Sequence, residues 1–146
     1  MHLTAFSDYT LRTLIYLALR PDTLCTIEEI AKAYDISTNH LNKVAHQAAL
    51  AGEVVTVRGQ RGGLRLAKSP ATINVGAVLR RTEPDLDIVP CFGSGGACAI
   101  QPACVLQAAL AEALAAFLAV LDRTSLADLI HPRQALSRLL HLQPSA

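Results

Sequence analysis

Three cysteines within fourteen residues, Cys91, Cys98 and Cys104, carry the clearest chemistry in this sequence. Their spacing is C-x6-C-x5-C, through a glycine-rich stretch that leads into a helical segment. Thiolates are the ligands of iron–sulfur clusters, and such a cluster takes four. The glycines let the backbone wrap around one centre, and a helix N-terminus nearby favours negative charge. The loop supplies three ligands, so a fourth must come from elsewhere in the chain, from a second chain or from solvent. Zinc is the weaker match, because its cysteines usually come in closer pairs with a histidine. A regulatory disulfide between two of the three, or unligated thiols, stays open on spacing alone. Cys25 stands apart and reads as a small structural residue.

A second set of residues could read nucleic acid. Thr38, Asn39, His40, Asn42, Lys43, His46 and Gln47 fall on one side of a predicted helix, opposite Leu41, Val44, Ala45 and Ala48. Their side chains can reach base edges and phosphates in a major groove. Arg58, Gln60 and Arg61 follow in a glycine-rich segment and suit phosphates or a minor groove. A polar helix face alone is usually just solvated. The ordered set is more specific.

The elements that would position these groups can be read along the chain. Ser7 is the expected N-cap of a first helix carrying Leu11, Leu14, Ile15, Ala18 and Leu19, ended by Pro21-Asp22. Thr26 and Glu29 form a capping box for a second helix. Tyr34-Asp35-Ile36 reads as a tight turn, and Ser37 caps a third helix ending near Gly52. The apolar period then changes to two, with Val55, Val57, Leu64 and Leu66 bracketing a glycine-tipped hairpin. A helix from about Ala71 to Thr82 follows, then Pro84, Pro90 and a loop over Cys91–Cys98. A long helix is expected to begin with Pro102 as its first residue and run to about Arg123, and a last helix spans 133–141. Helix, turn, polar helix and basic wing describe a mainly α, winged helix-turn-helix protein with a long C-terminal helix. The expected division is 1–84 for DNA binding, 85–104 for the cysteine loop, and 102–146 for the long helix and the C-terminal helix.

Composition looks at first like an objection. The chain has 146 residues, 13 Lys+Arg against 12 Asp+Glu, and a formal charge of +1. Distribution removes the objection: window 40–81 holds seven basic residues and one acid, while 85–146 is net −2. Hydrophobic residues make up 51%, which excludes a disordered chain. That much apolar content in a small domain predicts burial between subunits, most simply in a twofold dimer. The longest charge-free run, Ile88 to Ala111, is broken by prolines and glycines and is not expected to span a membrane. The N-terminus lacks a basic stretch followed by an apolar core, so a cytoplasmic location is expected.

The sequence resembles the iron–sulfur winged-helix transcriptional repressor family from Leu3 to about Leu140. The carrying stretches are Leu3-Thr4-x-Phe6-Ser7-Asp8-Tyr9-x-Leu11-Arg12, Ile15-Tyr16-Leu17-Ala18, and Val57-Arg58-Gly59-x-x-Gly62-Gly63-x-Arg65-Leu66. The cysteine triplet and Ser125-Leu126-Ala127-Asp128-Leu129 complete them. Within the family the chain is most similar to the nitric-oxide-sensing branch. Gln107 stands where the cluster-biogenesis branch has a ligating histidine, and Phe6-Ser7-Asp8-Tyr9 matches the nitric-oxide branch.

The resemblance implies a homodimeric repressor that binds a palindromic double-stranded operator. It implies a cluster, [4Fe–4S] in preference to [2Fe–2S], on Cys91, Cys98 and Cys104, with Asp8 of the partner subunit as fourth ligand. Read alone, Asp8 is an ordinary acid near a helix N-terminus. Nitric oxide would attack the cluster and release the operator. The alternative is a regulator of cluster biogenesis or redox state with the same fold. Leu110, Leu114, Phe117 and Leu121 form a stripe suited to a dimerisation helix, or to an intrachain core. No nucleotide loop, paired carboxylates or nucleophile with a placed base suggests an enzyme.

Overall fold

The structure is a computed structural model that describes residues 2–93 and 98–142. Three helices come first: α1 (Ala5–Leu19), α2 (Ile27–Tyr34) and α3 (Thr38–Leu50). A two-stranded hairpin follows, β1 (Val54–Val57) and β2 (Gly63–Leu66). Then come α4 (Val75–Thr82), the long α5 (Val105–Asp122), and short helices α6 (Leu126–Leu129) and α7 (Arg133–Leu139).

The α2–turn–α3 unit forms as its sequence predicts. Thr26 and Glu29 cap each other, with Thr26 N–H donating to Glu29 Oε2 at 2.6 Å. Asp35 takes a left-handed conformation (φ 54°) that a short polar side chain tolerates. The amide of Ile36 then reaches back to Ala31 O at 3.0 Å and closes the turn. Ser37 caps α3. The hairpin pairs Val54 with Leu66 and Val57 with Gly63 in antiparallel register.

Four boundaries differ from the sequence expectation. Thr4, not Ser7, caps α1: Thr4 Oγ1 accepts from the amide of Ser7 at 3.2 Å. Ser7 is therefore one turn in and buried, where its hydroxyl donates to Thr82 Oγ1 at 2.8 Å. The helix expected over 71–82 is a 3-10 turn at Pro70–Thr72 followed by α4, which Asn74 caps. Pro102 sits in a separate 3-10 turn, Gln101–Ala103, and α5 begins only after Cys104 as N-cap. Leu139, not His141, ends α7, and the sequence expectation lacks α6, which Ser125 and Asp128 cap reciprocally.

The core is built around α1. Leu14, Leu17, Ile30, Leu41, Val78 and Leu79 are almost wholly excluded from solvent. Each such side chain contributes about 1.5–3 kcal/mol by leaving water. Leu126, from beyond α5, is buried in this same core, so the C-terminal segment folds back onto the N-terminal helices. Cys25 is part of it too. Its backbone pairs with Leu64 in both directions (2.9 and 2.7 Å), adding a third chain to the edge of the hairpin. Burial pushes the Cys25 thiol up to about 11, against a smaller opposing pull from Arg20.

Glu53 is the buried carboxylate at the entrance to the wing, and Arg81 of α4 donates to its Oε2 at 2.6 Å. Desolvation raises its pKa, and Arg81 and Lys68 offset only part of that rise. An acid raised in this way is least costly when protonated. Its contribution to stability is therefore greatest at low pH and declines as pH rises from the unfolded value towards the folded one.

Two outcomes are expected. Arg81→Ala leaves the Glu53 carboxylate without its partner and lowers stability by about 1–3 kcal/mol at pH 7. The deficit shrinks towards pH 4 as the lone carboxyl takes a proton; urea midpoints at the two pH values measure it. Iodoacetamide at pH 8 should leave Cys25 unmodified in the folded protein, because its thiolate is scarce and enclosed; peptide mapping by mass spectrometry reads this directly.

Candidate nucleic-acid interface and cysteine centre

The α3 helix separates its two faces cleanly. Leu41, Val44, Ala45 and Ala48 are buried, whereas Thr38, Asn39, His40, Asn42, Lys43, His46 and Gln47 are all exposed. His40 also lies against Tyr9 of α1, with ring centroids 5.8 Å apart. The outward face of α3 is thus tied at its first turn to the helix on which it packs.

The wing tip places Arg58, Gln60 and Arg61 in solvent. Gly59 has φ +117°, a conformation that side chains rarely adopt, and its carbonyl accepts from Gly62 N–H at 2.9 Å. This bend turns the chain within five residues and leaves the neighbouring arginines exposed. Among the described residues, Lys43, Arg58 and Arg61 take part in no ion pair. Arg80 and Arg81 do, with Asp122 and Glu53. The basic window of the sequence therefore divides: its C-terminal arginines hold the fold together, and its earlier members face solvent.

The three cysteines are free thiols; Cys91 and Cys104 are half-buried and Cys98 is exposed. Cys91 and Cys104 line one open cavity of about 660 Å³ beside the first half of α5, with Phe92, Gln107 and Leu114 among its walls. Cys104 Sγ accepts from the amide of Gln107 at 3.4 Å, so a thiol rather than a hydroxyl caps α5. The same glutamine donates from Nε2 to Cys91 O at 3.3 Å and bridges the two cysteines. The sequence carries a signal for this contact, since N-cap and third helical residue are capping-box positions.

Cys98 adjoins residues 94–97, and that part of the expected cysteine loop lies outside the described residues. Among the described residues, no three His, Cys, Asp or Glu side chains converge on one point. The donor set nonetheless suits an iron–sulfur group: three unpaired thiols, two of them on one cavity with partly apolar walls. Asp8 is half-buried on α1 and forms a two-bond pair with Arg12, 3.0 Å to Nε and 2.9 Å to Nη2. Arg12 in turn lies 5.7 Å over the ring of Tyr34.

On α5, Leu110, Leu114 and Leu121 are half-buried and Phe117 is exposed. Val105, Leu106 and Val120 are more than half exposed, and no residue of this helix is buried. By length and composition alone α5 is long and apolar enough to cross a membrane, although Glu112 lies within it.

Comparison with known proteins gives these features a setting. The profile of the Rrf2 family, described as iron-dependent transcriptional regulators, matches residues 3–132. The HTH-type transcriptional regulator NsrR of Halalkalibacterium halodurans is 44% identical over 99% of this chain and all of its own length. That of Bacillus subtilis strain 168 is 46% identical over 98% of this chain and 99% of its own. Among solved structures, IscR of T. potens superposes with a TM-score of 0.73 at 23% identity, covering 93% of this chain and 90% of that one. That likeness bears out the mainly α, winged helix-turn-helix fold. With a family profile over most of its length and relatives above 40% identity from end to end, the chain belongs to the Rrf2 family and is a DNA-binding transcriptional regulator, not an enzyme.

Proposed function

We propose that the chain is a homodimeric repressor that senses nitric oxide through an iron–sulfur cluster held by Cys91, Cys98 and Cys104. The observation that carries this reading is the place of Cys104: it shares a cavity with Cys91 and is also the N-cap of α5. Whatever occupies that thiol acts on the start of the longest helix. The names of the relatives, NsrR regulators above 40% identical, point the same way.

In this reading 1–84 forms the DNA-binding unit, 85–104 the cluster loop, and 102–146 the dimerisation and C-terminal helices. The stripe of Leu110, Leu114, Phe117 and Leu121, with its exposed apolar neighbours, meets the same stripe of a second copy. Asp8 of the partner subunit supplies the fourth ligand. Its bond to Arg12 is a half-exposed pair four residues apart on one helix, so releasing it costs only about 0.3–0.5 kcal/mol. A cluster held there, [4Fe–4S] in preference to [2Fe–2S], would supply iron open to nitric oxide, most readily at a non-thiolate ligand.

The chain's own residues connect that site to DNA. Asp8 neighbours Tyr9, which touches His40 at the start of α3. A shift of α1 therefore moves the helix carrying Thr38, Asn39, Asn42, Lys43 and His46. Two such helices, one turn of DNA apart, fit a palindromic operator in the cytoplasm. The wing residues Arg58, Gln60 and Arg61 hold the flanking backbone.

Protein purified without oxygen should be coloured, and iron and sulfide counts should give the cluster type. Nitric oxide should abolish its retardation of an operator selected by the protein itself from random DNA. Replacing any one of Cys91, Cys98 and Cys104 by alanine should remove colour and response together. Colourless wild-type protein, or operator binding unchanged by nitric oxide, overturns the sensing role. The interface makes a separate prediction. Asn42→Ala should weaken operator binding alone, by about 1–3 kcal/mol. Arg61→Ala should weaken all DNA alike and lower the slope of log affinity against log salt by about 1. Fluorescence anisotropy across a salt series separates the two.

A further inference from the structure

The end of α5 is fastened to the start of α4 by features that converge on one residue, Asp122. Arg80 donates from both terminal nitrogens to the two carboxylate oxygens, with Nη2 at 2.8 Å from Oδ2. Asn74 caps α4 through Oδ1 and at the same time donates from Nδ2 to the Asp122 carbonyl at 2.7 Å. Gly76 makes room: a Cβ there would stand 2.1 Å from Asp122 Oδ1 and 3.0 Å from its backbone nitrogen. Just beyond, the backbones pair in both directions, Val75 N to Thr124 O at 3.0 Å and Leu126 N to Ile73 O at 2.8 Å.

The other side of α4 is equally tied to the DNA-binding unit. Thr82 accepts from Ser7, Glu83 accepts from the backbone and hydroxyl of Thr4, and Arg81 holds Glu53 at the root of the wing. Consecutive arginines thus reach in different directions, one to the long helix and one to the wing.

We propose that the Asn74–Gly76–Arg80–Asp122 clamp is a specificity determinant: it fixes the angle at which each reading head leaves α5, and so sets the half-site spacing that the dimer accepts. This rests on the dimeric, palindrome-reading function proposed above. Both members of the ion pair are substantially exposed, and exposed pairs contribute little to stability. A bidentate arginine fork does contribute a fixed geometry. Its use here is angular. One added base pair turns a half-site by about a tenth of a turn, so a rigid junction discriminates and a loose one does not.

The test uses full-length protein purified without oxygen and duplexes carrying the selected operator, with its half-sites at the selected spacing or one or two base pairs further apart. Wild type should lose about tenfold or more in affinity on two added pairs, equivalent to about 1.4 kcal/mol. Arg80→Ala and Arg80→Lys should each reduce that loss to about threefold or less, while melting within a few degrees of wild type. The double exchange Arg80→Asp with Asp122→Arg should restore discrimination. A folded Arg80→Lys protein with the wild-type spacing profile overturns the proposal. Wild type that binds without any spacing preference, or only as a monomer, overturns the function on which it rests, and the two failures are read from different proteins.

Discussion

Everything in this fold depends on α1, a helix about half of whose residues are buried, being tied at both ends to other parts of the chain. The first four amides and last four carbonyls of a helix lack partners within it. At the start of α1, Thr4 and Ser7 turn inward to Glu83 and Thr82. At its end, Arg133 of α7 donates to the carbonyls of Ala18 and Leu19, from 115 and 114 residues away. Midway, Thr10 and Thr13 close their hydroxyls onto carbonyls one turn back. The α1 helix is consequently held by α4 and α7 and offers its flanks to α2, α3 and the hairpin. A polar reading face and a wing can be presented at fixed angles because the element behind them is anchored at both ends.

What was legible in the sequence was what is local. The Thr26–Glu29 box, Ser37 and the hairpin with its glycine tip are patterns of a few residues, and each formed where expected. Errors arose where two signals competed within one turn. Thr4 and Ser7 are both good caps three residues apart, and the long-range partner Thr82 decided which turned inward. Pro102 suits a first helical position, yet Cys104 provided the cap and left the proline in a separate turn. The clamp on Asp122 and the arginine on α1 span 42 and 114 residues and have no local signature. For the site, residue types and spacing were readable, and the exposure of the α3 and wing residues agrees with them. The meeting of Cys91 and Cys104 at one cavity, bridged by Gln107, is a property of the folded loop.

Charge shows the same division between count and placement. The sequence shows only that basic residues concentrate in window 40–81. In the fold, Arg80 and Arg81 turn to carboxylates and do structural duty, while Lys43, Arg58 and Arg61 face solvent. Buried Glu53 explains one of these choices, because a carboxylate leaving water needs a cation beside it.

The uncovered apolar surface of α5 makes abundance a physical variable for this protein. Its hydrophobic side chains are partly covered at best within one chain, so the pairing proposed above would add stability that a lone chain lacks, and that gain would grow with concentration. In such a dimer, copy number would set how long each molecule survives as well as how many operators are filled, and a small fall in synthesis would be amplified into a larger fall in working repressor.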